Sequence, residues 1–273
     1  MRTLGLRFII QEESQMKKAW FFVILALAAS LSLSAQTVSS EKVNPSTATN
    51  ILDRIFDPDS VVFGKTFSEW DSEWQQWAYS IPVENHPLFD NGDCSVGQSG
   101  MVWFLGGKFC GNNEPGCSYT GVQRSCTVPR GKYLYIPVDN GEDSALEESV
   151  VENPGDINAQ QIGFMRQLDD PWTHAAPIES AIIDGVKVPN LQKYAVQSTV
   201  FGFTMPENNY LKAVYPTAYS DSFKAGTYFP AVDNGRYLML APLPPGMHTI
   251  KIAAYFPVWD FGFDVTYSIT VPR

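Results

Sequence analysis

Six carboxylates crowd one segment of this sequence: Asp139, Glu142, Asp143, Glu147, Glu148 and Glu152. A pair drawn from such a set can act as acid and base on a glycosidic bond. The same oxygens can gather around Ca²⁺. A charge run is also, more simply, a solvated loop leading into a helix. Asn140 and Glu142 stand two apart with Gly141 between them, so an extended backbone would point both side chains the same way. His86, His174 and His248 lie far apart, and none opens an H-E-x-x-H pair. His248 follows the turn Pro244-Pro245-Gly246 at the start of a strand, which reads first as a surface histidine and second as a rim position beside a pocket. Gly97-Gln98-Ser99-Gly100 falls short of a nucleophile elbow, because Met101 stands where the closing glycine belongs. The sequence carries no phosphate loop, EF-hand loop or metal-ligand spacing. Asp-Asn-Gly recurs at 90–92, 139–141 and 233–235, a triplet that forms turns before it binds ions. Trp70, Trp74 and Trp77 share a stripe at helical spacing. They can offer a sugar ring a platform, although one stripe on a helix reads first as a buried face.

The elements that must hold these residues are mostly strands. Thr66 and Glu69 form a capping box ahead of the tryptophan helix, and Pro82 stops it. A second helix is expected over 156–170, with Asp156 as its N-cap and Pro171 after it. Met101–Leu105 and Lys132–Val138 read as strands, placing Asn140 and Glu142 just past a strand end. Ala181–Val188 is a hairpin about Asp184-Gly185. Val196–Met205, Arg236–Ala241, Met247–Ala254 and the alternating run Phe261–Val271 complete the strands. Residues 206–226 form a Pro/Tyr/Asn-rich loop, longer than a compact fold needs. The expectation is a single mainly β domain over 61–273, a jelly-roll-like β-sandwich with two or three helices packed on it.

Compartment is legible at the start of the chain. Lys17 and Lys18 precede the apolar run Ala19–Leu33, and Leu33-Ser34-Ala35 suits signal cleavage before Gln36. The expected organisation is an upstream extension over 1–15 with initiation at Met16, a signal peptide over 16–35, and a flexible lead-in over 36–60. Cleavage leaves 15 Lys/Arg against 27 Asp/Glu, a mature charge of −12. That charge argues against nucleic acid and against anionic membranes as partners, and no later stretch is apolar enough for membrane insertion. With 44% hydrophobic and 13% aromatic residues, the chain can fill a sizeable core. Export, to the periplasm or the medium, makes two disulfides the natural use of four cysteines. Three connectivities are open. The turn-rich loop between Cys110 and Cys117 favours nesting that bridge inside Cys94–Cys126, worth about 2 and about 3–4 kcal/mol respectively by loop-closure entropy.

Several motifs together resemble an uncharacterised family of exported bacterial proteins. They are the tryptophan helix, Cys94-x3-Gln98-x-Gly100-x-Val-Trp-Phe-Leu105, Cys126-Thr-Val-Pro-x-Gly-Lys132, Asn140-x-Glu142 and Gly235–Ile250 with its Pro-Leu-Pro-Pro-Gly-Met-His-Thr-Ile run. The likeness spans about Thr66 to Val271 and implies export and a single domain, with no reaction attached. Asn234, where the family has Asp, and the Cys110/Cys117 pair depart from it. Two functions from different classes follow. The first is a non-catalytic binding or cell-surface module that grips a glycan through Trp70, Trp74, Asn140, Glu142 and His248. The second is a polysaccharide hydrolase using Glu142 and a second carboxylate. A Ca²⁺-stabilised structural domain is the weaker third.

Overall fold

The computed structural model describes residues 51–112, 114–174 and 177–273. The expected signal peptide, its cleavage site and residues 36–50 lie outside them. Ten strands make two five-stranded sheets. The first sheet runs β1 (Val102–Phe104), β3 (Tyr133–Ser144), β8 (Gly226–Leu240) and β6 (Ala195–Gln197), with β7 (Phe201–Met205) also paired to β8. The second runs β2 (Val122–Thr127), β10 (Phe261–Val271), β9 (Gly246–Phe256), β4 (Ile178–Ile183) and β5 (Val186–Lys187). Among the described residues only β1–β3 and β2–β10 are parallel. One apolar core takes Leu134, Ile136, Val138 and Leu238 from the first sheet and Ile183, Ile252, Val265 and Ile269 from the second.

Helix α1 (Phe67–Ser80) has the expected capping box: Thr66 Oγ1 accepts from the Glu69 amide, and Glu69 Oε2 accepts from the Thr66 amide at 2.7 Å. Helix α2 (Ala145–Glu147) runs on as a π turn over Glu148–Glu152. Helix α3 covers Ile162–His174, so it starts later than the sequence suggests and continues through Pro171. The long 206–226 loop is filled by α4 (Tyr210–Val214) and α5 (Thr217–Ser220).

Three expectations need correction. Residues 51–60 belong to the domain and not to a lead-in: Ile51 is buried, and the Phe56 amide donates to Met239 O at 2.9 Å. Val196–Met205 is two strands, β6 and β7, rather than one. Most consequentially, β3 does not end at Val138. It runs on to Ser144, and its Asn140-Gly141-Glu142 faces Gly235-Asn234-Asp233 of β8 in antiparallel register. Two triplets read as turns pair with each other in mid-sheet. Gly235 is needed there, because a Cβ would stand 2.5 Å from Asp139 O and 2.6 Å from Asn140 Cβ. The Asp184-Gly185 hairpin does form, both residues at positive φ, as its turn type demands. Both bridges of the nested pairing, Cys94–Cys126 and Cys110–Cys117, are present.

Candidate functional site

The continuation of β3 past Val138 is what builds the polar centre. A register shift between Pro137 and Asp139 changes which residues face which side. Before it, Leu134, Ile136 and Val138 line the core between the sheets, while Tyr135 faces α1. Beyond it, Asn140 and Glu142 turn to α1, as their two-residue spacing anticipates. Glu142 is the register partner of Asp233, so the two acids share a face.

Helix α1 meets that face with a second stripe that the sequence analysis passed over. Asp71, Gln75 and Tyr79 lie at i, i+4 and i+8, beside the tryptophans. Gln75 Nε2 donates to Asp233 Oδ2 at 2.6 Å, Asn140 Nδ2 donates to the same oxygen at 3.0 Å, and the Tyr237 hydroxyl donates to Oδ1 at 2.6 Å. Neither buried oxygen of Asp71 has a hydrogen-bond partner of good geometry; the Asp233 carboxyl and the Tyr237 hydroxyl are the polar groups beside it. A carboxyl–carboxyl hydrogen bond needs a proton on one member. Burial first, then the Asp233 charge, raises the Asp71 carboxyl well above the ordinary range. Burial lifts Asp233 as well, to about 6, with its Tyr237 and Asn140 hydrogen bonds opposing.

One helical turn further along, the Tyr79 hydroxyl donates to Glu142 Oε2, while Glu142 Oε1 is enclosed without a donor. The second partner of Glu142 is the Glu147 carboxyl. Glu147 accepts from Tyr215 at 2.9 Å and from the Ser144 hydroxyl at 2.5 Å. Ser144 caps the helix that follows, its hydroxyl accepting from the Glu147 amide. Glu142 is raised well above the ordinary range by burial and then by the Glu147 charge. On the opposite face of the β3–β8 ribbon, Arg166 of α3 donates to Asp233 O, Asn234 Oδ1 and Ser198 O. Asp169 and Asp143 are buried there with one oxygen each lacking a donor. Burial pushes these two carboxyls up to about 10 and about 9.

The other expected binding residues are elsewhere. Trp70 and Trp74 are core side chains, 7% and 2% exposed, whose indole N–H groups donate to Val62 O and Leu105 O. They present no ring face to a sugar. His248 is on the second sheet, its Nδ1 paired with Asp184 Oδ2 at 2.7 Å and its Nε2 2.8 Å from Pro244 O. Among the described residues no three His, Cys, Asp or Glu side chains are grouped to hold a metal ion; the acids meet in pairs. Glu142 itself is half-buried. The open recess, about 610 Å³, lies beside β6, lined by Asp57, Asp59, Thr66, Ser68, Lys193 and Gln197 among others.

No family model matches the chain, and no curated protein matches it. A solved structure titled "Structure of PbICP-C in complex with falcipain-2" is similar over 63% of this chain and 99% of that one, at 14% identity. Its TM-score of 0.20 is too low to carry an argument about fold or function.

Proposed function

We propose that the chain is an exported, non-catalytic binding module of the kind its motifs resemble, and that its ligand is a hydroxyl-rich group such as a glycan, held in the recess beside β6. The carrying observation is a contrast of access. Glu142 is half-buried, its Oε2 held by Tyr79 and its Oε1 enclosed without a donor beside the Glu147 carboxyl, whereas glycosidases keep their pair about 5–9 Å apart to admit a sugar and water. The recess is open and carries carboxylates, hydroxyls, an amide and an ammonium, the mixture of donors and acceptors that hydroxyl recognition uses. Two sheets on a common core support the finer description of the fold as a β-sandwich.

The test is glycan binding by the double variant Lys193→Ala/Gln197→Ala. Both residues are exposed, so the melting temperature should stay within about 1 °C while affinity falls about tenfold or more. Release of reducing sugar from a polysaccharide, abolished by Glu142→Gln, would reverse the reading in favour of the hydrolase. Export is tested separately. Two disulfides suit an oxidising compartment, and N-terminal sequencing of the exported protein should begin at Gln36. A sequence still starting at Met16 would refute cleavage.

A further inference from the structure

The acids around the β3–β8 ribbon are arranged as pairs in contact, and each pair bridges two elements. Asp71 on α1 meets Asp233 on β8, and Glu142 on β3 meets Glu147 on α2. Two ionised carboxylates at such a distance, out of water, repel strongly. One proton per pair turns the repulsion into a hydrogen bond.

We propose that these two pairs form a proton-held latch, which fastens α1 and the Ala145–Glu152 helical segment to the β3–β8 ribbon in acid and loosens as the shared protons leave.

The surroundings give little that would hold the pairs once ionised. Facing Asp71 and Asp233 are Gln75 from α1, Asn140 from β3, Tyr237 from β8 and the buried Tyr135, while Arg166 and Asp169 of α3 act on them from across the ribbon. Facing Glu142 and Glu147 are Tyr79 from α1, Asp143 and Ser144 from β3, and Tyr210 and Tyr215 from the α4 region. Glu148 and Glu152 lie on the same helical segment, and Asp156 acts on Glu148. Arg166 is the cation in this list, and it is spent on three carbonyl-type oxygens. The oxygens of Asp71, Asp143 and Asp169 that meet no donor add to the imbalance.

The sign follows from proton linkage. Every one of these carboxyls is raised in the folded state, so the folded chain binds more protons than the unfolded one. Stability is therefore complete below the unfolded carboxylate range near pH 4 and falls as pH rises towards the folded values. Each shared proton lost should raise the opening equilibrium about tenfold per pH unit within that window.

The experiment is hydrogen exchange and thermal melting of the mature chain from pH 4.5 to 8.5, with and without millimolar Ca²⁺ or Mg²⁺. Amides of α1 and of 145–152 should lose protection with rising pH, beyond the intrinsic exchange rate, by at least tenfold between pH 5 and pH 8. Asp71→Asn should match the parent at pH 4.5 and melt higher than it at pH 8. Glu142→Gln should do the same, and covers the case in which the first variant fails to fold. Melting that is flat or rises from pH 5 to pH 8 overturns the proposal. So does recovery of the whole loss by the metal ion alone, which would make the cluster a cation site.

Discussion

Arg236→Ala should destabilise the protein by about 3–5 kcal/mol at pH 8, and by less than half of that at pH 4.5. Arg236 is fully buried on β8. Its Nη1 reaches Asp139 Oδ2 of β3 at 2.7 Å and Glu179 Oε1 of β4 at 2.7 Å, and its Nε and Nη2 reach Gln192 Oε1. One guanidinium thereby ties the two sheets together. It also compensates two neighbouring acids, Asp139 and Glu179, which burial lifts to about 6 and about 8. Removing it strands both in the interior. At pH 8 they must be charged without a partner or take up protons against the solution, and either route costs folding free energy. At pH 4.5 most of the unfolded chain's penalty for binding those protons is gone, leaving chiefly the packing lost with the side chain. Urea unfolding at the two pH values measures the difference. An equal loss at both would mean that Arg236 acts through packing alone.

The parts of this molecule that sequence reveals are those fixed by local rules. Thr66 and Glu69 announce a helix start because a capping box is closed within four residues. Asp184-Gly185 announces a hairpin because its backbone demands positive φ. The strand β10 is legible because Val265, Tyr267, Ile269 and Val271 alternate without a break and are all buried. What was hidden depends on partners distant in the chain. Asp139-Asn-Gly and Asp233-Asn-Gly look like turns until Asn140 pairs with Gly235 and Gly141 with Asn234 in the ladder. The polar centre was half visible: Asn140 and Glu142 do share a face, but Tyr79, which donates to Glu142, and Gln75, which meets Asn140 at Asp233 Oδ2, sit on the helix read only for its tryptophans. Asp71, Gln75 and Tyr79 at i, i+4 and i+8 were the available signal. A polar stripe beside an aromatic one means a helix buried on two sides, and only its length of 14 residues limits how much it can cover.

Trp74→Ala should cost about 3–5 kcal/mol, the range for emptying a large aromatic site in a core. In a domain of this size that lowers the melting temperature by about 2–4 °C per kcal/mol. The indole is 2% exposed, and its Nε1 donates to Leu105 O at 2.7 Å, so Trp74→Phe should still lose about 1 kcal/mol for the stranded carbonyl. The ring also explains the glycine that follows Leu105. A Cβ on Gly106 would stand 2.8 Å from Trp74 Cζ2 and 3.1 Å from Leu88 Cδ1. Gly106→Ala alone should therefore overpack the site and cost about 1–3 kcal/mol. In the Trp74→Ala background the obstructing ring is gone, and the same methyl enters the space it leaves. The double variant should be more stable than the sum of the two single losses implies, by about 0.5–3 kcal/mol of coupling. A double-mutant cycle in urea measures that coupling directly. Strict additivity would mean that Trp74 and Gly106 do not meet in solution, and retained stability in Trp74→Ala with lost glycan binding would return the indole to the ligand.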